Sequence, residues 1–235
     1  IMNCSDKITR EQLCRMFDHT NLKAYADKEM LQTLCEEAKE NHCAMVAINS
    51  SPVSYCKELL KDTDIHVGAA ISFPLGQTTV AAKVFEAQNA IENGADEIDY
   101  VINIGELKNK NYQYIESEMK AMVELCRSHN VISKVIFEIC YLTEDEIKKV
   151  SEIAKKVKPD YIKTSTGFGT SGAVKEIVRL MKDCVGKDVK VKAAGGIRSW
   201  KTCAEMIDAG AERIGTSSTI KILQEFDEVR AGKSI

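Results

Sequence analysis

Four ionisable side chains close apolar runs in this chain: Asp18 in FDHTNL, Asp99 in ADEIDYVIN, Lys163 in DYIKTSTGFGTSG and Lys192 in VKVKAAGGIRS. A charge at the end of a buried strand is costly unless it is paired, so each needs a reason to be there. Two lysines on consecutive strands would set ammonium groups side by side, and adjacent like charges depress pKa. A lysine near ~10.4 is neutral in only about 0.04% of molecules at pH 7, whereas one near ~7 is about half neutral, roughly a thousandfold gain. Only the neutral amine attacks a carbonyl. The required shift of ~3 units is worth about 4 kcal/mol, and two unit charges ~6 Å apart at an effective dielectric of ~20 repel by about 3 kcal/mol. The neighbouring lysine is therefore expected to supply most of the shift, and partial desolvation the remainder. A lysine pair with Asp99 handling protons is a kit for imine (Schiff-base) chemistry. Residue type and spacing leave open which lysine attacks. They also leave open a simpler arrangement, in which both lysines form ion pairs with Asp18 and Asp99 in a polar layer.

Two glycine-bearing turns follow the last strands, KAAGGIRS and RIGTSS. Gly195 and Gly196 would let the backbone approach an anion closely, while Gly215, Ser217 and Ser218 offer amides and hydroxyls at the start of a helix. Gly167 could add a third amide. Together they predict a phosphate ester as substrate. Lys190, one pleat below Lys192, is expected at the solvated base, and neither Lys83 nor Glu138 is given a role.

The elements that must hold these groups alternate. Short β-branched runs at 14–18, 43–48, 65–71, 97–103, 134–139, 160–163, 189–193 and 213–216 predict strands. Segments of helical period lie between them at 27–41, 78–93, 112–129, 143–157, 172–184 and 199–209. Thr143 with Glu146 reads as a capping box, Asp27 and Ser199 as N-caps, and Gly94 and Gly210 as helix stops. Eight β then α units in 235 residues, with no GxGxxG after the first strand, favour a single α/β domain over the whole chain. The expected fold is a (β/α)8 TIM barrel with a short N-terminal helix or arm over 1–11 on the barrel floor and a C-terminal helix and tail over 222–235. Reactive groups in such a barrel sit at the C-terminal ends of its strands.

A net charge of −3 without any dense basic block argues against nucleic acid as a partner. No apolar run is long enough to span a membrane, and the opening residues lack the apolar core of a secretory signal, so a cytoplasmic protein is expected. Ile1 ahead of Met2 is read as an expression remnant. Nine dispersed cysteines suggest reduced, mostly buried thiols. Four scattered histidines, without HxH or HExxH spacing, disfavour a metal site.

The motifs YIKTSTGFGTSGA, ISFPLGQT, GADEIDYVINIG, VIFEICYL, VKAAGGIRS and AERIGTSS, spread over 17–221, resemble those of the deoxyribose-phosphate aldolase family. The resemblance implies reversible cleavage of 2-deoxy-D-ribose 5-phosphate to D-glyceraldehyde 3-phosphate and acetaldehyde, without metal or organic cofactor. It makes Lys163 the Schiff-base nucleophile, Lys192 the group that perturbs its pKa and exchanges protons, and Asp99 a proton donor and acceptor. Asp18 and Thr20 match substrate-binding positions. Gly167, Gly195, Gly196, Gly215, Ser217 and Ser218 match phosphate-binding ones. Cleavage is expected at the C3 to C4 bond, with the imine as electron sink and a base taking the C3 hydroxyl proton. The expected partners are a phosphorylated sugar and aldehydes, with assembly as a homodimer or homotetramer allowed for. Two other readings stay open: another Schiff-base aldolase or transaldolase on a phosphorylated sugar, and a non-catalytic sugar-phosphate-binding barrel. The chain departs from some relatives at Ala47, where they carry Cys, and at Phe168, where they carry Lys, which shifts weight for phosphate onto Arg198. Its tail also lacks the terminal Tyr of some members.

Overall fold

Eight parallel strands close on themselves in chain order in the computed structural model, which describes residues 3–232, with β1 hydrogen-bonded to both β2 and β8. They are β1 Phe17–Thr20, β2 Met45–Asn49, β3 His66–Ile71, β4 Glu97–Val101, β5 Ile132–Ile136, β6 Tyr161–Lys163, β7 Lys190–Ala194 and β8 Arg213–Thr216. Two short helices, α1 Cys4–Lys7 and α2 Arg10–Cys14, precede them. After the successive strands come α3 Lys28–Asn41, α4 Val53–Leu59, α5 Val80–Glu92, α6 Ile104–Lys108 with α7 Tyr112–Ser128, α8 Glu144–Val157, α9 Lys175–Val185, α10 Trp200–Ala209 and α11 Thr219–Arg230. This is the expected (β/α)8 barrel. Ile1 and the last residues of the tail, 233–235, lie outside the described residues.

The caps act where the sequence places them. Thr143 and Glu146 exchange backbone-to-side-chain bonds of 2.8 and 3.2 Å, and Asp27 and Ser199 accept from Met30 and Thr202 amides. Other boundaries differ for physical reasons. Cys14 ends α2 instead of opening β1. The helices α4 and α6 were not foreseen because five to seven residues are too few to show a helical repeat. The start of α9 moves from 172 to Lys175 because Ala173 N–H donates to Gly195 C=O at 2.9 Å, holding 172–174 extended.

Outward-facing strand residues such as Val67, Ile98, Val135, Ile162, Val191 and Ile214 are fully buried beneath the helices and make the main apolar core. The arm packs at the floor. Ser5 Oγ donates to Asp208 at 2.7 Å, near the end of α10, and Arg230, at the end of α11, donates to Ser5 C=O at 2.9 Å. Inward-facing residues are unusual for a barrel whose lumen normally fills with branched aliphatics. Cα register sets Asp99 beside Lys134, Lys163 beside Lys192, Lys192 beside Arg213 and Asp18 beside Gly215. Every charge in that set therefore points into the lumen. No helix among the described residues is long and apolar enough to cross a membrane.

Candidate active site

Strand ends β4, β6 and β7 bring three of the expected residues into contact. Asp99 Oδ2 accepts from Lys163 Nζ at 3.1 Å and from Lys192 Nζ at 2.8 Å, so the two amines lie within about 6 Å of each other. The other Asp99 oxygen, Oδ1, accepts from Lys134 Nζ at 2.7 Å. Lys192 also meets Asp18 Oδ2 at 2.6 Å, an ion pair whose angles are poor for a hydrogen bond. Below, Arg213 joins Asp18 Oδ1 at 2.7 Å to Glu97 Oε2 at 3.1 Å, and Lys134 bonds Glu97 as well. His66 Nδ1 reaches Glu97 at 2.8 Å from a half-exposed position.

These contacts fix the electrostatics. Burial lowers the Lys163 amine most, and the Lys192 charge adds to it, while Asp99 pulls the other way; the net position is about 8. The ranking reverses the expectation from the sequence, which gave the neighbouring lysine the larger part. Desolvation outweighs it because Lys163 is only 4% exposed and Lys192 is partly neutralised by two carboxylates. Burial would raise the Asp99 carboxyl, but Lys134, Lys192 and Lys163 outweigh it and hold Asp99 well below the usual carboxylate range. Asp18 is likewise lowered, with burial opposed by Lys192, Arg213 and Lys134. Burial would lower Lys134, yet Asp99, Glu97 and Asp18 raise it.

Above this layer opens a cleft of about 830 Å³. Thr20, Lys163, Gly167, Gly195, Gly196, Gly215 and Ser217 line it, together with Phe168 and Arg198. Lys163 is the one amine of the buried layer on its wall; Lys192, Lys134 and Asp99 are behind it. A family model for DeoC/LacD family aldolases matches residues 13–225. The chain belongs to that aldolase family. It is 58% identical over 218 residues to the deoxyribose-phosphate aldolase of Lactobacillus acidophilus, covering 93% of this chain and 92% of that one. It is 48% identical to the deoxyribose-phosphate aldolase of Thermococcus kodakarensis, covering 92% and 98%. Among solved structures, the deoxyribose phosphate aldolase of Aeropyrum pernix, described as a unique tetrameric structure, superposes with a TM-score of 0.88 at 28% identity, over 94% and 93% of the chains. This DeoC-family aldolase is thus a lyase on a TIM barrel.

Not every expected residue of the aldolase faces the cleft. Asp18 is fully buried, its carboxylate occupied by Lys192 and Arg213, whereas Thr20 lines the cleft and donates to the Asp18 backbone carbonyl at 2.8 Å. Ser218 is off the cleft wall; its amide donates to Thr216 Oγ1 at 2.9 Å. Gly215 has a reason beyond any ligand, since a Cβ there would sit 2.9 Å from Lys192 Cε and 3.0 Å from Ala194 Cβ. Gly195, at φ +88°, carries a conformation that costs a larger residue, and its neighbour Gly172 approaches it closely enough to exclude a side chain.

Sequence reasoning missed Lys134, Glu97 and Arg213 as parts of the site and set Glu138 aside. The signal for the first three was parity: each stands an even number of residues from an inward-facing Asp99, Lys163 or Lys192, or is paired with one across the sheet. Glu138, buried just past β5 at φ 56°, accepts from the Thr166 amide at 3.1 Å and from its hydroxyl. Thr166 Oγ1 in turn accepts from Phe168 N–H at 3.0 Å. That fixes the turn after Lys163. It sets Phe168 edge-on to Phe73 at 5.5 Å, with the Phe73 ring 5.9 Å from Lys163 Nζ.

Proposed function

We propose that this aldolase reversibly cleaves 2-deoxy-D-ribose 5-phosphate to D-glyceraldehyde 3-phosphate and acetaldehyde, with Lys163 as the Schiff-base nucleophile. The observation that carries the reading is that Lys163 alone among the buried amines opens on the cleft, and that its pKa is lowered to about 8. At pH 7 about one such amine in ten is neutral, against roughly one in several thousand at the ordinary value. The neutral amine adds to the C1 aldehyde of the open-chain sugar, and the carbinolamine loses water to give an iminium. Its charge lies where the ammonium was, 3.1 Å from Asp99 Oδ2, so the carboxylate stabilises it in place.

The iminium then accepts the bonding pair of C2–C3 as an enamine forms, while the C3 hydroxyl gives up its proton and becomes the new aldehyde. Two-carbon and three-carbon products place the broken bond between C2 and C3, rather than between C3 and C4 as expected from the sequence. Asp99, held as a carboxylate, and Lys192 pass the C3 hydroxyl proton on to the enamine carbon C2, and water then hydrolyses the resulting iminium, releasing acetaldehyde and freeing the Lys163 amine. The amides and hydroxyls of Gly167, Gly195, Gly196, Gly215 and Ser217, with Arg198 on the same wall, suit the phosphate. Ser218, off the cleft wall, acts by tying the start of α11 to Thr216, and Thr20 offers a hydroxyl to the substrate, while Asp18 acts from beneath by holding Lys192.

Borohydride reduction in the presence of acetaldehyde, followed by peptide mass mapping, tests the nucleophile; an adduct on any other lysine, or none, refutes it. Comparing deoxyribose 5-phosphate with longer sugar phosphates separates this activity from that of a transaldolase. The tetrameric relative supports a homo-oligomer, which light scattering on the eluting protein measures directly.

A further inference from the structure

The layer beneath the cleft holds four cations, Lys134, Lys163, Lys192 and Arg213, against three carboxylates, Asp18, Glu97 and Asp99. All seven are buried. An uncompensated charge in such a layer is expensive, so one proton should be missing from it. A guanidinium cannot supply that proton. Lys134 contacts all three carboxylates and Lys192 contacts two. Lys163 has only Asp99, on an oxygen shared with Lys192, and it alone has an exit to the cleft. The layer is neutral when Lys163 is neutral.

Resting on Lys163 as the reacting amine, we infer that Glu97 and Arg213, which do not line the cleft, set the pH at which that amine becomes reactive, by fixing the charge balance of the sealed layer below it. They are positioning residues that act through Lys134, Asp18 and Asp99. Other charged groups reach the layer only from its solvated edge. From β3, His66 bonds Glu97, which raises the pKa of the imidazole, but the ring is half solvated and its charge is screened; from β7, exposed Lys190 lies over the Tyr161 ring. The Tyr161 hydroxyl of β6 accepts from Arg213 at 3.3 Å, and β2 offers Lys134 only the Met45 sulfur at 3.4 Å. Glu138 is tied to Thr166, outside this network.

Opposite charge changes must therefore move Lys163 in opposite directions. Glu97→Gln leaves the layer more positive, so Lys163 sheds its proton at lower pH; Arg213→Met leaves it neutral with Lys163 protonated, so the proton stays on to higher pH. Glu97 is three contacts from Lys163, through Lys134 and Asp99, and an uncompensated charge roughly 10 Å away at an effective dielectric of ~20 is read as a shift of about one pH unit. The double variant restores the balance and removes both members of a buried pair, which proteins tolerate better than removal of one.

The test is competitive acetylation of Lys163 by acetic anhydride across pH in the full-length protein, read by peptide mass mapping. We expect the midpoint to fall by about one unit in Glu97→Gln, to rise by about one unit in Arg213→Met, and to return to within ~0.3 unit of the parent in the double variant. Should either single variant fail to fold, His66→Lys, at a half-exposed position, keeps a cation beside Glu97 through the alkaline range in which the imidazole has shed its proton, and must lower the midpoint by about a third of a unit after solvent screening. Midpoints that stay put, or that move the same way in both single variants, overturn the inference, as does an unmoved His66→Lys. Acetylation reads the amine whether or not it does aldol chemistry. Midpoints that move as stated without any borohydride-trapped adduct would remove the proposed function and leave this inference standing, and a trapped adduct with unmoved midpoints would do the reverse.

Discussion

Replacing Lys192 by methionine removes a charge but little volume, and it isolates what that charge does to Lys163. Because both amines bond Asp99 Oδ2, they are within about 6 Å, where two unit charges at an effective dielectric of ~20 repel by about 3 kcal/mol, or about two pH units. Burial of Lys163, the larger influence, is unchanged. Its amine is therefore expected to climb from about 8 to about 10, because a lysine relieved of a neighbouring cation holds its proton more tightly. The neutral share at pH 7 falls from roughly one in ten to roughly one in a thousand, and kcat/KM at pH 7 falls about a hundredfold. Initial rates of sugar phosphate cleavage measured from about pH 6 to 10.5 should show the acid limb displaced upward, with the share lost to Lys163 protonation recovered in alkali and a residual loss, the proton-transfer share of Lys192, remaining. Asp18 keeps Arg213 as a partner, so the variant should fold, which a thermal melt confirms. A uniform loss across pH, with the acid limb still near 8, would refute the reasoning and assign Lys192 to proton transfer alone.

Lys163→Met should stabilise the protein while abolishing activity. The native amine sits at about 8 against 10.5 for the free side chain, so at pH 7 the folded state carries a penalty of ~3 kcal/mol that the unfolded chain does not. The gain should be present at pH 7, shrink above pH 8 and vanish near pH 10.5, and a variant that melts below the parent at pH 7 would contradict it. Gly215→Ala forces a Cβ against Lys192 and Ala194; it should cost about 1–3 kcal/mol, lower the melting temperature by several degrees and depress activity further by displacing the amine. Glu138→Gln keeps one acceptor oxygen for the Thr166 amide but turns the other position into an N–H donor, so the bond to the Thr166 hydroxyl must reverse and loses its charge assistance. The turn loosens, and KM for the sugar phosphate should rise about tenfold while acetaldehyde trapping at Lys163 continues. Arg198→Ala should raise KM for phosphorylated substrates about tenfold and leave non-phosphorylated aldehydes unaffected, as kinetics on both classes will tell.

The alternation of strands and helices, and the placement of Asp99, Lys163 and Lys192 together, were legible because period and strand-end position survive small errors of register. The polar layer beneath was not. Pattern reading treats a charge as the edge of a strand, so Glu97, Lys134 and Arg213 each became the first residue of a predicted run. The barrel instead takes them inside, because each meets opposite charges from strands far away in sequence. Asp18 shows the same blindness from the other side. Its type and motif suggested a ligand to substrate, whereas its partner Arg213 is 195 positions distant. Gly215 looked like a phosphate turn in RIGTSS, and only the Lys192 side chain beside it gives the second reason for its missing Cβ.

The contact between β1 and β8 closes the ladder, and it also completes the ion layer, since Asp18 comes from the first strand and Arg213 from the last. A chain that has formed seven strands but has yet to seat the eighth holds Asp18 and Glu97 without their guanidinium. Such a species is open-edged, and its three remaining cations balance the three carboxylates only with Lys163 protonated, so the amine stays silent until the eighth strand is seated. Assembly of the chemistry and closure of the barrel then depend on the same pair of strands. Partly folded or C-terminally truncated molecules would lack the activated Lys163 amine that cellular aldehydes would otherwise meet.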